Sequence, residues 1–150
     1  MQHNYVQCRI HVIFSTKGRT RSIPEDIQPK LWQYIAGICR HLGVKPIAVG
    51  GYDDHCHLLV GLPATMTIAT LIQKVKANSS RWFHQECLKR SFQWQENYSA
   101  FSVSASVIDK TVEYIRNQRK HHERYSFEEE LAKILEKNGI VIARAVPAGL

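Results

Sequence analysis

The hydrophobic pattern of the chain changes period in a fixed order, and that order restricts the fold more than any single residue does. In "YVQCRIHVIFST" the apolar residues Val6, Cys8, Ile10, Val12 and Phe14 alternate with Gln7, Arg9 and His11, the two-residue period of a half-buried strand. "SIPEDIQPKLWQYIAGICRHLG" then moves to helical spacing at Leu31, Ile35, Ile38 and Leu42. Ser22 with Glu25, and Pro24, mark its start, and Gly43 its stop. "VKPIAVGGYDD" and "HCHLLVGL" read as two strands paired as a hairpin, with Gly50, Gly51, Asp53 and Asp54 supplying turn or bulge chemistry. Thr67 can cap a second helix, "IATLIQKVKANSSRWFHQECLKR", whose Ile68, Leu71, Ile72, Val75, Ser79, Trp82 and Phe83 form one stripe. Strand character returns where Phe101, Val103 and Ala105 alternate with serines. Ser106 with Asp109 signals a third helix through "VIDKTVEYIRNQRKHHER", and a fourth runs from Ser126 to about Lys137, ending at Asn138 and Gly139.

Strand, helix, strand, strand, helix, strand is the order of an α+β, ferredoxin-like or RRM-like sandwich. It predicts an antiparallel sheet with helices on one face and the other face open, followed by a helix bearing Tyr114 and a short fourth helix. The 150 residues suit one domain over 1–150. A net charge of +7 points to a polyanionic partner, nucleic acid or an anionic membrane surface. No apolar run nears the ~20 residues that span a bilayer, and the N-terminus lacks a signal-peptide layout, so no membrane association and a cytoplasmic location are expected. Cys8, Cys39, Cys56 and Cys87 form no CxxC pair, which argues for reduced thiols.

"YDDHCHLLV" places His55 and His57 on one face of a strand with Leu59, while Cys56, Leu58 and Val60 face the other way. On an open face two imidazoles at i and i+2 can share a metal ion, with Asp53 or Asp54 orienting a ring; the alternative is two polar residues on a solvated sheet. Cys56 is on the wrong face to complete a zinc site with both histidines.

On the third helix Ile108, Val112 and Ile115 define a core stripe, and Tyr114, Gln118 and His121 share a flank beside it. A phenol beside an amide oxygen is a possible nucleophile and metal-ligand pair, with Arg116, Arg119, Lys120 and Arg124 near enough to hold phosphate. The alternative is a packing tyrosine and basic residues favoured by the helix dipole.

Taken together and in this order, these motifs resemble the single-tyrosine HUH transposases of small bacterial insertion sequences, over nearly the whole chain. "IHVIFSTKGR" resembles the family's first strand and basic turn, and "DDHCHLLV" its histidine, hydrophobic, histidine motif. "WQENYSAFSVS" with "YIRNQRKHH" resembles the approach to its tyrosine helix. The tail "NGIVIARAVPAGL" departs from the family's polar, aromatic ending. The resemblance implies His55, His57 and Gln118 as ligands of Mg²⁺ or Mn²⁺, Tyr114 as nucleophile, and single-stranded DNA with hairpin ends as substrate. It also implies cleavage and rejoining through a 5′-phosphotyrosine intermediate, in a homodimer whose tyrosine helix completes the partner's site. The phosphate track is expected from Lys17, Arg19 and Arg21 after the first strand and from Lys74, Lys76 and Arg81 on the second helix, whose polar faces also carry Lys89 and Arg90, with Arg116, Arg119 and Lys120 on the third. Two other readings use the same residues: a noncatalytic or domesticated hairpin-binding module, and a metal-dependent hydrolase that leaves Tyr114 idle.

Overall fold

The computed structural model describes residues 4–87 and 91–141. Lys89, Arg90 and most of the C-terminal tail lie outside them. The elements are β1 (Cys8–Ser15), α1 (Gln28–His41), β2 (Lys45–Gly51), β3 (His55–Leu62), α2 (Ile68–Cys87), β4 (Ser99–Ser102), α3 (Ile108–Arg116), α4 (Gln118–His121) and α5 (Phe127–Lys137). The sheet order is β2-β3-β1-β4 with every pairing antiparallel, the ferredoxin-like topology expected from the order of periods. No helix among the described residues is long and apolar enough to cross a membrane.

The side chains of β1 and β3 alternate between two cores. Val12, Phe14, Cys56, Leu58 and Val60 pack with Leu31, Ile35 and Cys39 of α1 and with Leu71, Ile72, Val75 and Phe83 of α2. Ile13 and Phe101 pack beneath Phe127 of α5, and Ala48 and Leu59 beneath Ile115 of α3. The second face is therefore covered, not open as expected. Ile13, Leu59 and Phe101 explain why: each gains about 1.5–3 kcal/mol from being taken out of water, and only α3 and α5 can do that.

Thr67 caps α2, accepting the Thr70 N–H at 3.1 Å, and Ser126 and Glu129 form a complete capping box on α5. The Ser22 and Glu25 signal does not start α1. That helix begins at Gln28, whose buried amide donates to Ile23 O and Asp53 Oδ1 at 3.0 and 2.8 Å, tying its first turn to the β2–β3 turn. The third helix is broken: α3 ends at Arg116, Asn117 takes φ −98 and ψ 22, and α4 follows. Gly37, exposed in α1, has open space where a Cβ would stand, with nothing within 4 Å. Gly37→Ala is expected to raise stability by about 0.5–1 kcal/mol, readable in a urea midpoint, because it restricts the unfolded chain without a clash.

Candidate active site

The β2–β3 turn sets the first histidine. Thr16 donates to Asp54 O from its amide at 2.9 Å and its hydroxyl at 3.2 Å, which holds the turn. Asp54 Oδ1 then accepts from His55 Nδ1 at 2.7 Å, leaving His55 Nε2 to face inward. Asp53 does not orient a ring. It receives Gln28 Nε2 and lies 3.6 Å from Arg119. His57, opposite Ile13 in the sheet, is reached by His11 from the diagonal position on β1, with His11 Nε2 and His57 Nδ1 2.8 Å apart.

α3 and α4 bring the second half. Gly50 lies opposite His57 and lets the Ile115 carbonyl pass closely over the strand. Gln118 Nε2 donates to Tyr114 O at 3.3 Å, so its Oε1 points at His55 Nε2, 3.0 Å away. The Tyr114 ring stands edge-on to His57 at 5.7 Å. His55, His57, Tyr114 and Gln118 are thus gathered within this chain, its own α3 and α4 supplying Tyr114 and Gln118 to the histidines of β3.

Glu130 is the residue sequence reasoning missed. It is 2% exposed on the buried side of α5. Its Oε1 lies 3.0 Å from His57 Nε2 and 3.2 Å from His55 Nε2. Its Oε2 accepts from the Tyr114 hydroxyl and lies 3.2 and 3.4 Å from His121 and His122 Nε2. His122 was missed too; its Nε2 is 2.9 Å from Gln118 Oε1 and its Nδ1 donates to Tyr125 O at 2.7 Å. The signal for Glu130 was its place in a helical stripe with Phe127 and Ile134.

Burial pulls on every group here, and hydrogen bonding decides the outcome. Burial takes His11 down to about 3, and it takes His57 down to about 4 against the opposing pull of Glu130. Burial also opposes a charged His55, but bonds to Asp54 and Glu130 prevail and raise it to about 9. Glu130 is held well below the carboxylate range: burial opposes its charge, and bonds from His122, His55 and His57 outweigh it. Tyr114 is pushed above the phenol range by burial and then by the Glu130 charge.

Acid should loosen this cluster in chelator-treated protein. His11 and His57 stay neutral in the fold but take up protons on unfolding below about 6.5, so each costs stability as pH falls through that value. His55 acts oppositely: its contribution is complete below about 6.5 and is lost as pH rises toward about 9. From pH 7 to 5 the two losses exceed the small remaining gain, by about 3 kcal/mol or on the order of 10 °C in Tm. A Tm that stays flat over this interval in a calorimetric scan contradicts the protonation states described.

The family model described as "Transposase IS200 like" matches residues 4–118. The chain belongs to the IS200-like transposase family. The transposases for insertion sequence element IS200 of Salmonella typhimurium and Salmonella typhi are each 20% identical to it over 124 residues, 79% of this chain and 81% of theirs. Two solved structures share the fold. A candidate transposase from Deinococcus radiodurans R1 gives a TM-score of 0.61 at 22% identity, covering 79% of this chain and 96% of the other. A REP-associated tyrosine transposase bound to a REP hairpin gives 0.59 at 14%, covering 90% and 86%.

In this transposase-family chain the basic residues do not form one track. α2 packs on the sheet face opposite the histidines, which puts Lys74 and Arg81 behind the site. Lys76 is a clamp: its ammonium donates to Gln95 O, Glu96 O and Asn97 O at 2.6, 3.2 and 2.9 Å, and burial lowers its pKa. Arg19 pairs with Glu128 at 2.9 Å, and Arg119 with Glu25 at 3.4 Å. Lys17, Arg21 and Arg116 are exposed. Lys120 lines a groove of about 580 Å³ beside Tyr114, together with Lys110, Asn117, His121, Arg124 and Tyr125.

Proposed function

We propose that this transposase-family protein cuts and rejoins single-stranded DNA near hairpins, with Tyr114 as nucleophile and His55, His57 and Gln118 as ligands of a divalent metal. The observation that carries the reading is the convergence of these four side chains from β3, α3 and α4 at one buried point. The hairpin bound by the REP-associated relative supports the substrate class.

The residues fit a metal. His55 Nε2 and the Gln118 amide oxygen meet 3.0 Å apart, with His57 beside His55 on the same strand face, and imidazole with amide oxygen is a donor set that a divalent ion accepts. Bound there, Mg²⁺ or Mn²⁺ would act as a Lewis acid on the phosphodiester, Mn²⁺ being the better match to nitrogen ligands. Lys110, Lys120 and Arg124 would hold the strand's phosphates in the groove beside the phenol. Tyr114 Oη forms a bond to phosphorus as the bond from phosphorus to the 3′-oxygen breaks. The phenolic proton passes to solvent water and the departing 3′-oxygen takes one from solvent water, so the step is proton-neutral. The DNA is then joined to Tyr114 through its 5′-phosphate, and the 3′-hydroxyl can reverse the step on another strand, so rejoining needs no ATP.

The test is incubation of the protein with labelled hairpin single-stranded DNA and Mn²⁺, followed by a denaturing gel and tryptic mapping. The expected result is a covalent species whose nucleotide remnant lies on peptide 111–116, TVEYIR. Cut strands with free 5′-phosphates and no adduct would support the hydrolase reading. Binding without cutting on native flanking sequences would support the noncatalytic module.

A further inference from the structure

We propose that His122 and Glu130 are additional ligands of the divalent cation, supplied by the segment that follows the family-matched region. The inference rests on the metal site proposed above and enlarges it. Both residues lie beyond the matched span, which ends at 118.

The orientation of the rings carries the inference. Asp54 Oδ1 and Tyr125 O are acceptors, so His55 Nδ1 and His122 Nδ1 each donate outward to them, at 2.7 Å in both cases. The two Nε2 atoms then face inward, toward oxygen atoms that have no hydrogen to give. His55 Nε2 is 3.0 Å from Gln118 Oε1 and 3.2 Å from Glu130 Oε1, and His122 Nε2 is 2.9 Å from Gln118 Oε1. Two nitrogens and two oxygens converge on one volume, each ring braced from behind by an oxygen acceptor. That is the arrangement of metal-binding histidines with their outer partners. Neighbouring ligands about 2.1 Å from an octahedral ion stand about 3.0 Å apart, which matches these separations.

Chemistry points the same way. His55, His57 and Gln118 are neutral ligands and offer Mg²⁺ a single oxygen, whereas a carboxylate adds the hard, charged donor that such ions favour. Among the described residues the ion pairs of Glu130 are all to imidazoles, with no Lys or Arg. A carboxylate this deep needs positive charge beside it, and a divalent ion supplies more of it than a protonated imidazole. His55, His122 and Glu130 also have one ligand atom each within a mutual 4.8 Å.

The competing explanation is a proton on each ring, which makes Glu130 and His122 purely structural. Titration of the full chain with Mn²⁺, by calorimetry and by electron paramagnetic resonance of the free ion, separates the two. Glu130→Gln and His122→Gln are each expected to weaken Mn²⁺ binding at least tenfold with far-UV circular dichroism unchanged, while Glu128→Gln, an exposed neighbour on α5, has no effect. Co²⁺ should report the same loss as an altered visible spectrum in Glu130→Gln. If Glu130→Gln does not fold, His122→Gln and Glu130→Asp carry the test with the same expectation. Unchanged affinity and spectrum in these variants, alongside loss of binding in His57→Ala, overturns the inference and leaves the histidine site standing. No binding by the unmodified chain, or unchanged binding in His57→Ala, overturns both. Weakening by only one of the two positions overturns the assignment of the other.

Discussion

Tyr114→Phe is expected to reduce covalent adduct formation and strand cleavage by at least about ten-thousandfold while changing hairpin-DNA affinity less than about threefold. The substitution removes one oxygen and little else. The ring keeps its edge contacts with His57 and His121, at 5.7 and 5.3 Å, so α3 has no reason to shift. Glu130 loses the hydroxyl donor but keeps His55 and His57 within 3.2 and 3.0 Å. The stability cost should therefore stay near 1 kcal/mol. In the proposed reading, binding rests on phosphate contacts from groove residues such as Lys110, Lys120 and Arg124, which the change does not touch. Single-turnover cleavage on a denaturing gel, with affinity measured by fluorescence anisotropy, checks both halves. Cleavage at an undiminished rate would remove Tyr114 from the chemistry.

Gly50→Ala should damage the site from a residue that makes no contact with substrate. A Cβ at Gly50 would lie 2.5 Å from the Ile115 carbonyl oxygen and 2.9 Å from Ile115 Cγ2, and backbone cannot swing aside as a flexible side chain can. α3 must lift, carrying Tyr114 and Gln118 away from the histidines. The expected cost is about 1–3 kcal/mol of stability. A displacement on the order of 1 Å would lower cleavage about a hundredfold. Gly61→Ala is the matched control, since its Cβ would meet only Lys45 Cβ, at 3.6 Å. Both glycines lie in strands of the same hairpin, so intrinsic strand propensity cancels between them. Urea midpoints and cleavage rates of the pair decide the matter: equal behaviour would show that the close approach of α3 to β2 has no functional weight.

Sequence signals predict the structure well where the interaction behind them is local. Thr67 and the Ser126–Glu129 box act through hydrogen bonds three residues apart, and they start α2 and α5 as their spacing predicts. Alternation in β3 puts His55 and His57 on one side and Cys56 and Leu58 on the other, and the two cores follow that division. Local signals fail where a distant contact competes with them. Ser22 and Glu25 form a plausible cap, yet Ile23 is buried and its amide bonds to Asp53 O at 3.0 Å, so the helix waits until Gln28. Lys76 looks like a phosphate contact on a basic helix face until the loop carbonyls of residues 95–97 are folded against it.

The sequence by itself determined the order of elements, the sheet face that carries the histidines and the family, because hydrophobic period and motif spacing are properties of contiguous residues. The tertiary structure alone decided that this face is roofed, that the chain's own α3 and α4 reach the histidines, and that Glu130 enters between the rings. The reason is physical. A helical glutamate costs little in solvent, and its burial becomes meaningful only when packing of Phe127 over Ile13 and Phe101 carries its carboxylate to within 3.2 Å of His55 and His57.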